Sequence, residues 1–599
     1  MDSFKSKYSC RRVKFSTKRL KKRKCTFYGL TKQEKCVNID LNNVNSNGVN
    51  MTDSVDNVDS ESVFASVSKR KVKPIIVQSK HSKCVSGYRF VDMEILASVF
   101  DKLGCPECVQ PMLSLIENKK SCKGFASKLS ICCICGFKLD FYTSKNVEGY
   151  DVNKRVVYAM RTLGQGQTGL HRFATLMNMP RGICNKSYNV IVHKLVTAAQ
   201  TVSNETIHEA VQELREGKSP DEIVDIGVSV DGTWQKRGYS SHNGVTAALS
   251  IKNGKVLDVK ALSRKCKICD ENQNILNSKQ QNQAEFKTHV CNKNYDGSAS
   301  GMETVGAVNI FNRSLEKFKL RYTEYLGDGD SKSYTTVKST YKDVEVIKLD
   351  CVGHFQKRIG SRCRQLKKQV KGLNGKGRLT NAIIDRLQNH SGISIRQNCG
   401  NFKGMRSSGL ASLFHVASSS KNNYHYPHCP VGKDSWCKYN RDKANGTNEY
   451  KPGIGLPIDI ILKLKPIYVE LTSDSYLSRL LHGKTQNQNE SFNAMIWSRI
   501  PKSKYVSLTQ LKFGLYDAIG AFNIGIKSSI LIFEKLLMIP GQHTISSCNY
   551  LNRRRIRMSE YKNKDTIKKR RKILRGRKHK KSDKFDQKEG NMYKAGFHD

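Results

Sequence analysis

The chain has 599 residues, of which 103 are Lys or Arg and 52 are Asp or Glu, giving a formal net charge of +51. Hydrophobic residues make up 38 %, enough for a core in each of several domains of roughly 100–200 residues, and so large a cationic excess calls for a polyanion, nucleic acid before anionic membrane. No apolar run approaches the roughly 20 residues of a transmembrane helix, and the N-terminus is basic without an apolar core region, so neither a membrane-spanning nor a secreted chain is expected.

An intracellular chain keeps its 20 cysteines reduced, and cysteines at CxxC spacing then point to metal rather than disulfides. Residues 1–75 carry eleven Lys or Arg between Lys5 and Lys24 and continue without helical period. They are expected to be a disordered basic arm, a nuclear-import or DNA-tethering segment if not simply a solvated tail. Residues 76–150 hold Cys105-x2-Cys108 and then SICCICGFKL. Two CxxC knuckles predict a zinc-ribbon-like module with ligands Cys105, Cys108, Cys132 and Cys135, with Cys133 making the second pair ambiguous. Across 151–220 apolar residues recur every three or four positions, interrupted by Gly164, Gly166, Gly169 and Pro180-Arg181-Gly182. Short helices follow, either a DNA-reading helix-turn-helix or an ordinary bundle.

Residues 221–350 begin with IGVSVDGTWQKRGYSSHNGVTAALSIKNGKVLDVKAL, Ile226 to Leu262. Alternating Val228 and Val230 end at Asp231, Val245–Ile251 is a second apolar run, and Asn253-Gly254 is a strong hairpin signal before the third. Three antiparallel strands are predicted, the first displaying Asp231, which is otherwise a turn-former before Gly232. Cys266-x2-Cys269 and His289-x-Cys291 make a second zinc site on an excursion from the third strand. An amphipathic helix over Gly301–Tyr322, a strand Tyr322–Leu326 running into Asp328, and a strand Val344–Leu349 complete an RNase H-like order. Asp328, with Asp330 as its neighbour, is the second candidate acid.

Residues 351–480 form a basic helical insertion, opened by Cys351-x2-His354 and carrying Cys429 and Cys437 near its end. Cys351, His354, Cys429 and Cys437 are the expected third metal set, with His425 or His428 as substitutes. Residues 481–541 contain QNQNES, a polar run at the start of an otherwise apolar helix capped by Thr485 or Asn487. Glu490 and Asn493 then share a face, and Glu490 is the third candidate acid. Residues 542–599 form a disordered polybasic tail with seventeen Lys or Arg and three acids between Arg553 and Lys584. Lys568, Lys569, Arg570, Arg571, Lys572, Arg575, Arg577 and Lys578 are expected to grip DNA phosphate without sequence preference.

Taken together, VSVDGTWQKRGYSSHNG, NYDGSASGMETVGAVNIF, LGDGDSKSY, CVGHFQKRIGSR, DSWCKY and TQNQNESFNAMIWSRIPKSK resemble the Mutator-like transposase domain of animal transposable elements, over roughly Gly87 to Gly541. The resemblance implies a DDE-type transposase with an α/β, RNase H-like core: a mixed sheet flanked by helices, a long helical insertion, an N-terminal zinc-binding and helical region, and disordered basic termini. It implies Asp231, Asp328 and Glu490 as catalytic acids and matches Cys351 and His354 to a CxxH motif. Three carboxylates suit two Mg2+ or Mn2+ ions for phosphodiester hydrolysis and strand transfer, whereas the Cys/His sets suit structural Zn2+. The expected partners are double-stranded DNA, as element ends and target, and further copies of the chain on that DNA, in the nucleus. A catalytically inert zinc-dependent DNA-binding protein and a plain RNase H-like nuclease are the alternatives.

Overall fold

The computed structural model describes residues 67–71, 85–235, 241–276, 288–328, 332–375, 377–425, 429–447, 449–453, 455–502, 505–571 and 573–574. In chain order, α1 (Val67–Lys71) and α2 (Met93–Phe100) precede β1 (Ser114–Glu117), β2 (Lys128–Cys132) and β3 (Lys138–Tyr142). Three helices follow: α3 (Asp151–Thr162), α4 (Gln167–Leu176) and α5 (Asn185–Gln212). Next come β4 (Val224–Gln235), β5 (Asn243–Ser250), β6 (Val256–Ser263), α6 (Lys267–Leu276), α7 (Gly301–Asn312), α8 (Ser314–Phe318), β7 (Leu320–Gly327), α9 (Lys332–Val337) and β8 (Ile347–Asp350). The described remainder is helical: α10 (Val352–Gln369), α11 (Asn381–Gln397), α12 (Phe402–His415), α13 (Lys438–Asn445), α14 (Ile458–Leu471) and α15 (Asp474–Leu477). It closes with α16 (Asn487–Arg499), α17 (Leu508–Ile524), α18 (Lys527–Lys535) and α19 (Gln542–Asn563).

The chain is a mixed α/β protein. Its main sheet has the order β6-β5-β4-β7-β8, antiparallel from β6 to β4 and parallel from β4 to β8. Every residue of β5 is buried, as its run of small and apolar side chains requires of a strand covered on both faces. The hairpin from β5 to β6 turns at Gly254, whose φ of +68° suits a residue without Cβ. Asn253 Oδ1 accepts from Lys255 N at 3.1 Å inside that turn. Helix α7 lies flush on the sheet because Gly306 faces Thr246, where a Cβ would come within 2.2 Å of the hydroxyl.

The parallel register fixes what stands at the sheet's end. Ser229 of β4 pairs with Leu326 of β7, an offset of 97 residues, and Asp328 lies the same 97 residues beyond Asp231. The two aspartates therefore stand at one level, Asp231 within β4, which runs on to Gln235, and Asp328 just past the end of β7, on strands that lie about 4.8 Å apart. Gly327 pairs with Asp350 of β8, so Cys351 follows beside Asp328.

Three apolar cores hold the fold. The first joins the sheet to Val211 of α5 and Leu214 just beyond it, Phe311 of α7, Phe492 and Ile496 of α16, and Leu511 and Leu515 of α17. Full burial of a large side chain contributes about 1.5–3 kcal/mol, and Phe311, Tyr322, Tyr325 and Phe492 are among the largest fully buried ones. The second core lies within the helices from Val352 to Leu480. The third joins α3, α4 and the first half of α5 to α17 and α18. Helix α5, 28 residues long and so about 42 Å, belongs to the third core at Tyr188–Val202 and to the first at Ile207–Ala210. That continuity is what a bundle built onto the sheet requires.

Two expected boundaries move. The C-terminal tail was expected from residue 542, but α19 folds back on the core: its Asn552 Oδ1 accepts from Ile526 N at 3.1 Å, and Arg555 donates to Ala521 O at 2.8 Å. The N-terminal arm was expected to run to 75, yet Lys71 of α1 is buried, donates to Gln488 at 3.2 Å and lies 3.5 Å from the centroid of the Phe522 ring. Long cationic side chains with apolar stems can be buried in this way, which charge counting does not reveal. The remainder of that arm lies outside the described residues.

Candidate functional site: an acid cleft and three cysteine–histidine clusters

Polar side chains of α16 attach it to β4. Gln486 donates to the Val230 carbonyl at 3.0 Å, Asn489 to the Ser229 carbonyl at 3.0 Å, Asn493 to Asp231 Oδ2 at 2.7 Å, and Trp497 to Thr233 Oγ1 at 2.7 Å. Spacings of three, four and four residues put these donors on one helix face. The polar run is thus a set of bonds to a strand, and it carries Glu490 to the acid end. The expected cap does not form: the N-cap is Gln486, with no side-chain capping bond, because its amide serves β4 and His354 instead.

Asp231, Asp328 and Glu490 gather at this end of the sheet. Burial, with the nearby Asp328 and Glu490 carboxylates, pushes the Asp231 carboxyl up to about 6. Asp328 is held low by His354, whose Nδ1 contacts the Asp328 carboxylate and stands 3.1 Å from Gln486 Oε1. Asp328 and Cys351 together push His354 up to about 10. Glu490 is exposed and lies 3.6 Å from Lys357 Nζ. Asp330 lies outside the described residues. Among the described residues, no three acids bring their oxygens within 4.8 Å of one another; the carboxylates border a cleft rather than closing on a point.

A fourth carboxylate was missed. Glu303, in the first turn of α7, is pushed up to about 7 by burial and by Asp231 and Asp328. It reaches Asp231 because Gly232 has no side chain: a Cβ there would stand 2.7 Å from Glu303 Oε2 and 2.9 Å from its Cγ. The signal in the sequence was GMETVG, an acid between two glycines at the start of a helix. A cavity of about 590 Å³ opens beside these acids, lined by Glu303, Asp328 and His354 together with Lys332, Lys357 and Arg358.

Among the described residues, three Cys/His clusters stand apart from this cleft, each with its ligand atoms within 4.8 Å of one another. A tetrahedral zinc with bonds of about 2.3 Å to sulfur and 2.0–2.1 Å to nitrogen needs S–S edges near 3.8 Å and S–N edges near 3.5 Å. Cys105–Cys135 and Cys108–Cys133 are each 3.6 Å apart. Here Cys133 replaces the expected Cys132, which is the last residue of β2 and pairs with Lys138. The strand's alternation turns Cys132 away, and the next residue enters the knuckle.

The second cluster joins the expected Cys266, Cys269, His289 and Cys291, with S–N separations of 3.2 and 3.3 Å and a Cys269–Cys291 separation of 3.4 Å. The third consists of His415, His425, Cys429 and Cys437. Cys429 is 3.5 Å from His415 and 3.7 Å from His425, and Cys437 is 3.5 Å from His425. The Cys429 and Cys437 thiols interact so closely that Cys437 is pushed down and Cys429 up. Cys351 and His354, expected here, belong to the acid cleft, because β8 delivers them beside Asp328. His428 lies outside the described residues. These sets of soft donors can hold a structural metal such as zinc.

Of the expected DNA-binding tail, Lys568, Lys569, Arg570 and Arg571 are exposed on a helical stretch after α19. Lys572, Arg575, Arg577 and Lys578 lie outside the described residues.

No curated protein matches the chain. A family model, Mutator-like transposase, matches residues 87–437. The match takes in Asp231, Asp328, Glu303 and all three Cys/His clusters, and it ends before Glu490. It covers more than half of the 599 residues, and the chain belongs to the Mutator-like transposase family.

Proposed function

We propose that this transposase cuts element ends and joins them to target DNA at the acid cleft by DDE-type chemistry, on a core of RNase H-like fold. Asp231, Asp328 and Glu490 are its catalytic acids. The observation that carries this reading is the shared offset of 97 residues, which brings two acids far apart in sequence to one level on adjacent parallel strands. The order of three antiparallel strands, a helix and two parallel strands supports the fold.

The donor set fits a hard divalent cation. Its ligands are carboxylate oxygens, and their crowding raises Asp231 and Glu303, a repulsion that a cation would relieve. Magnesium or manganese held by these acids would lower the pKa of an attacking water or 3′ hydroxyl and stabilise the leaving oxygen. The chain's own groups position the acids: Asn493 holds Asp231, and His354, itself held by Gln486, fixes Asp328. The three Cys/His clusters hold structural zinc.

The test is a duplex carrying the element's terminal sequence, incubated with Mg2+. Asp231→Asn is expected to abolish cleavage and strand joining while leaving DNA binding unchanged or slightly tighter, because a carboxylate repels the phosphate backbone. Wild-type cleavage by Asp231→Asn would reject the reading. Cleavage by wild type without joining to a second duplex would make the protein a plain nuclease.

A further inference from the structure

The cavity beside the acids is lined by cations as well as by carboxylates. His354, Lys357, Arg358 and Ser361 lie at positions i, i+3, i+4 and i+7 of α10, a single stripe along the helix, and all four border the cavity. His354 fixes Asp328; the two cations stand one turn on, about 5 Å along the axis at 1.5 Å per residue. Lys332, the first residue of α9, lines the same cavity.

We infer that Lys357 and Arg358 form a phosphate subsite that holds the DNA backbone next to the bond being cut. The inference rests on the acid cleft being the place of cleavage and adds which side of it the strand occupies. A lone acid cleft repels a polyanion; a cationic wall one helical turn away orients the strand so that a single phosphate faces the carboxylates. Arg358 is braced for this role, its guanidinium lying 5.7 Å from the centroid of the Tyr476 ring. Lys357 is paired with Glu490. Both side chains of that pair are more than half exposed, so the pair is cheap to break. An incoming phosphate can therefore draw Lys357 away from Glu490, with or without a cation at the acids.

The experiment compares three full-length proteins on one 40-base-pair duplex without divalent metal: wild type, the Lys357→Gln/Arg358→Gln double variant, and a Lys367→Gln/Lys368→Gln control in the last turn of the same helix. Each phosphate contact adds about 0.9 to the slope of log affinity against log salt. The subsite variant is expected to lower that slope by about 1.8, with the control near wild type and all three melting at similar temperatures. Lys357→Arg, which keeps the charge, is expected to keep the slope. Equal slopes for the wild type and the subsite variant would overturn the inference, as would an equal loss in the control. Cleavage in Mg2+ is read in parallel. A wild type that binds with the expected slope difference but never cleaves would count against the catalytic reading alone, and equal slopes with intact wild-type cleavage would count against the subsite alone.

Discussion

Gly232 shows how one missing side chain shapes the site. It sits between Asp231 and Thr233 of β4, and the space its Cβ would fill is occupied by Glu303 from the helix packed on that face. Gly232→Ala drives a methyl group into the Cβ and Cγ of Glu303 rather than only its mobile tip. Overpacking of this kind costs about 1–3 kcal/mol, and here it also pushes a carboxylate away from Asp231. The expected outcome is a lower unfolding midpoint together with a loss of Mg2+-dependent cleavage larger than the stability change explains. A variant with both quantities at wild-type level would show that Glu303 can withdraw without consequence. The strand positions of the two aspartates were legible in the sequence, because Asp231 follows the alternating Val228 and Val230 and Asp328 follows the strand-like Tyr322–Leu326. Glu303 was not, since an acid in the first turn of a helix is ordinary, and only the strand behind it makes it unusual.

At the scale of elements, the strand order explains both what could be read and what could not. The hairpin at Asn253-Gly254, the strand ending near Asp328 and the cluster of Cys266, Cys269, His289 and Cys291 follow from local pattern. The ligands of the other two clusters depend on where neighbouring elements end. Cys132 completes β2, so Cys133 turns into the first cluster; β8 stops at Asp350, so Cys351 and His354 go to the acid cleft. His415 is the last residue of α12 and has no metal-motif spacing to betray it. A direct check follows. Purified without added metal, the protein is expected to carry three zinc ions per chain, Cys133→Ser two, and Cys132→Ser three. A zinc content that falls with Cys132→Ser and not with Cys133→Ser would restore the ligand set read from CxxC spacing. Losing one thiolate of a structural site should also destabilise β1–β3, because metal binding and folding are coupled there.

On the scale of the whole molecule, the site is closed by parts far apart in the chain. Two acids arrive with the sheet, and Glu490 arrives only after the helices of the second core. The same late segment supplies Phe492, Ile496, Leu511 and Leu515 to the sheet's own core. A premature stop after Cys437 would preserve both aspartates and every residue of the three Cys/His clusters yet strip one covering layer from the sheet. Such a fragment, residues 1–437, is expected to be insoluble or to lack a cooperative thermal transition, and soluble expression with native-like melting would disprove that. For a mobile element accumulating damage, the expected consequence is that 3′ truncation destroys the protein outright. It does not leave a folded, DNA-bound fragment able to compete with intact copies. Loss of a single acid, by contrast, is expected to leave a whole molecule that still occupies the DNA.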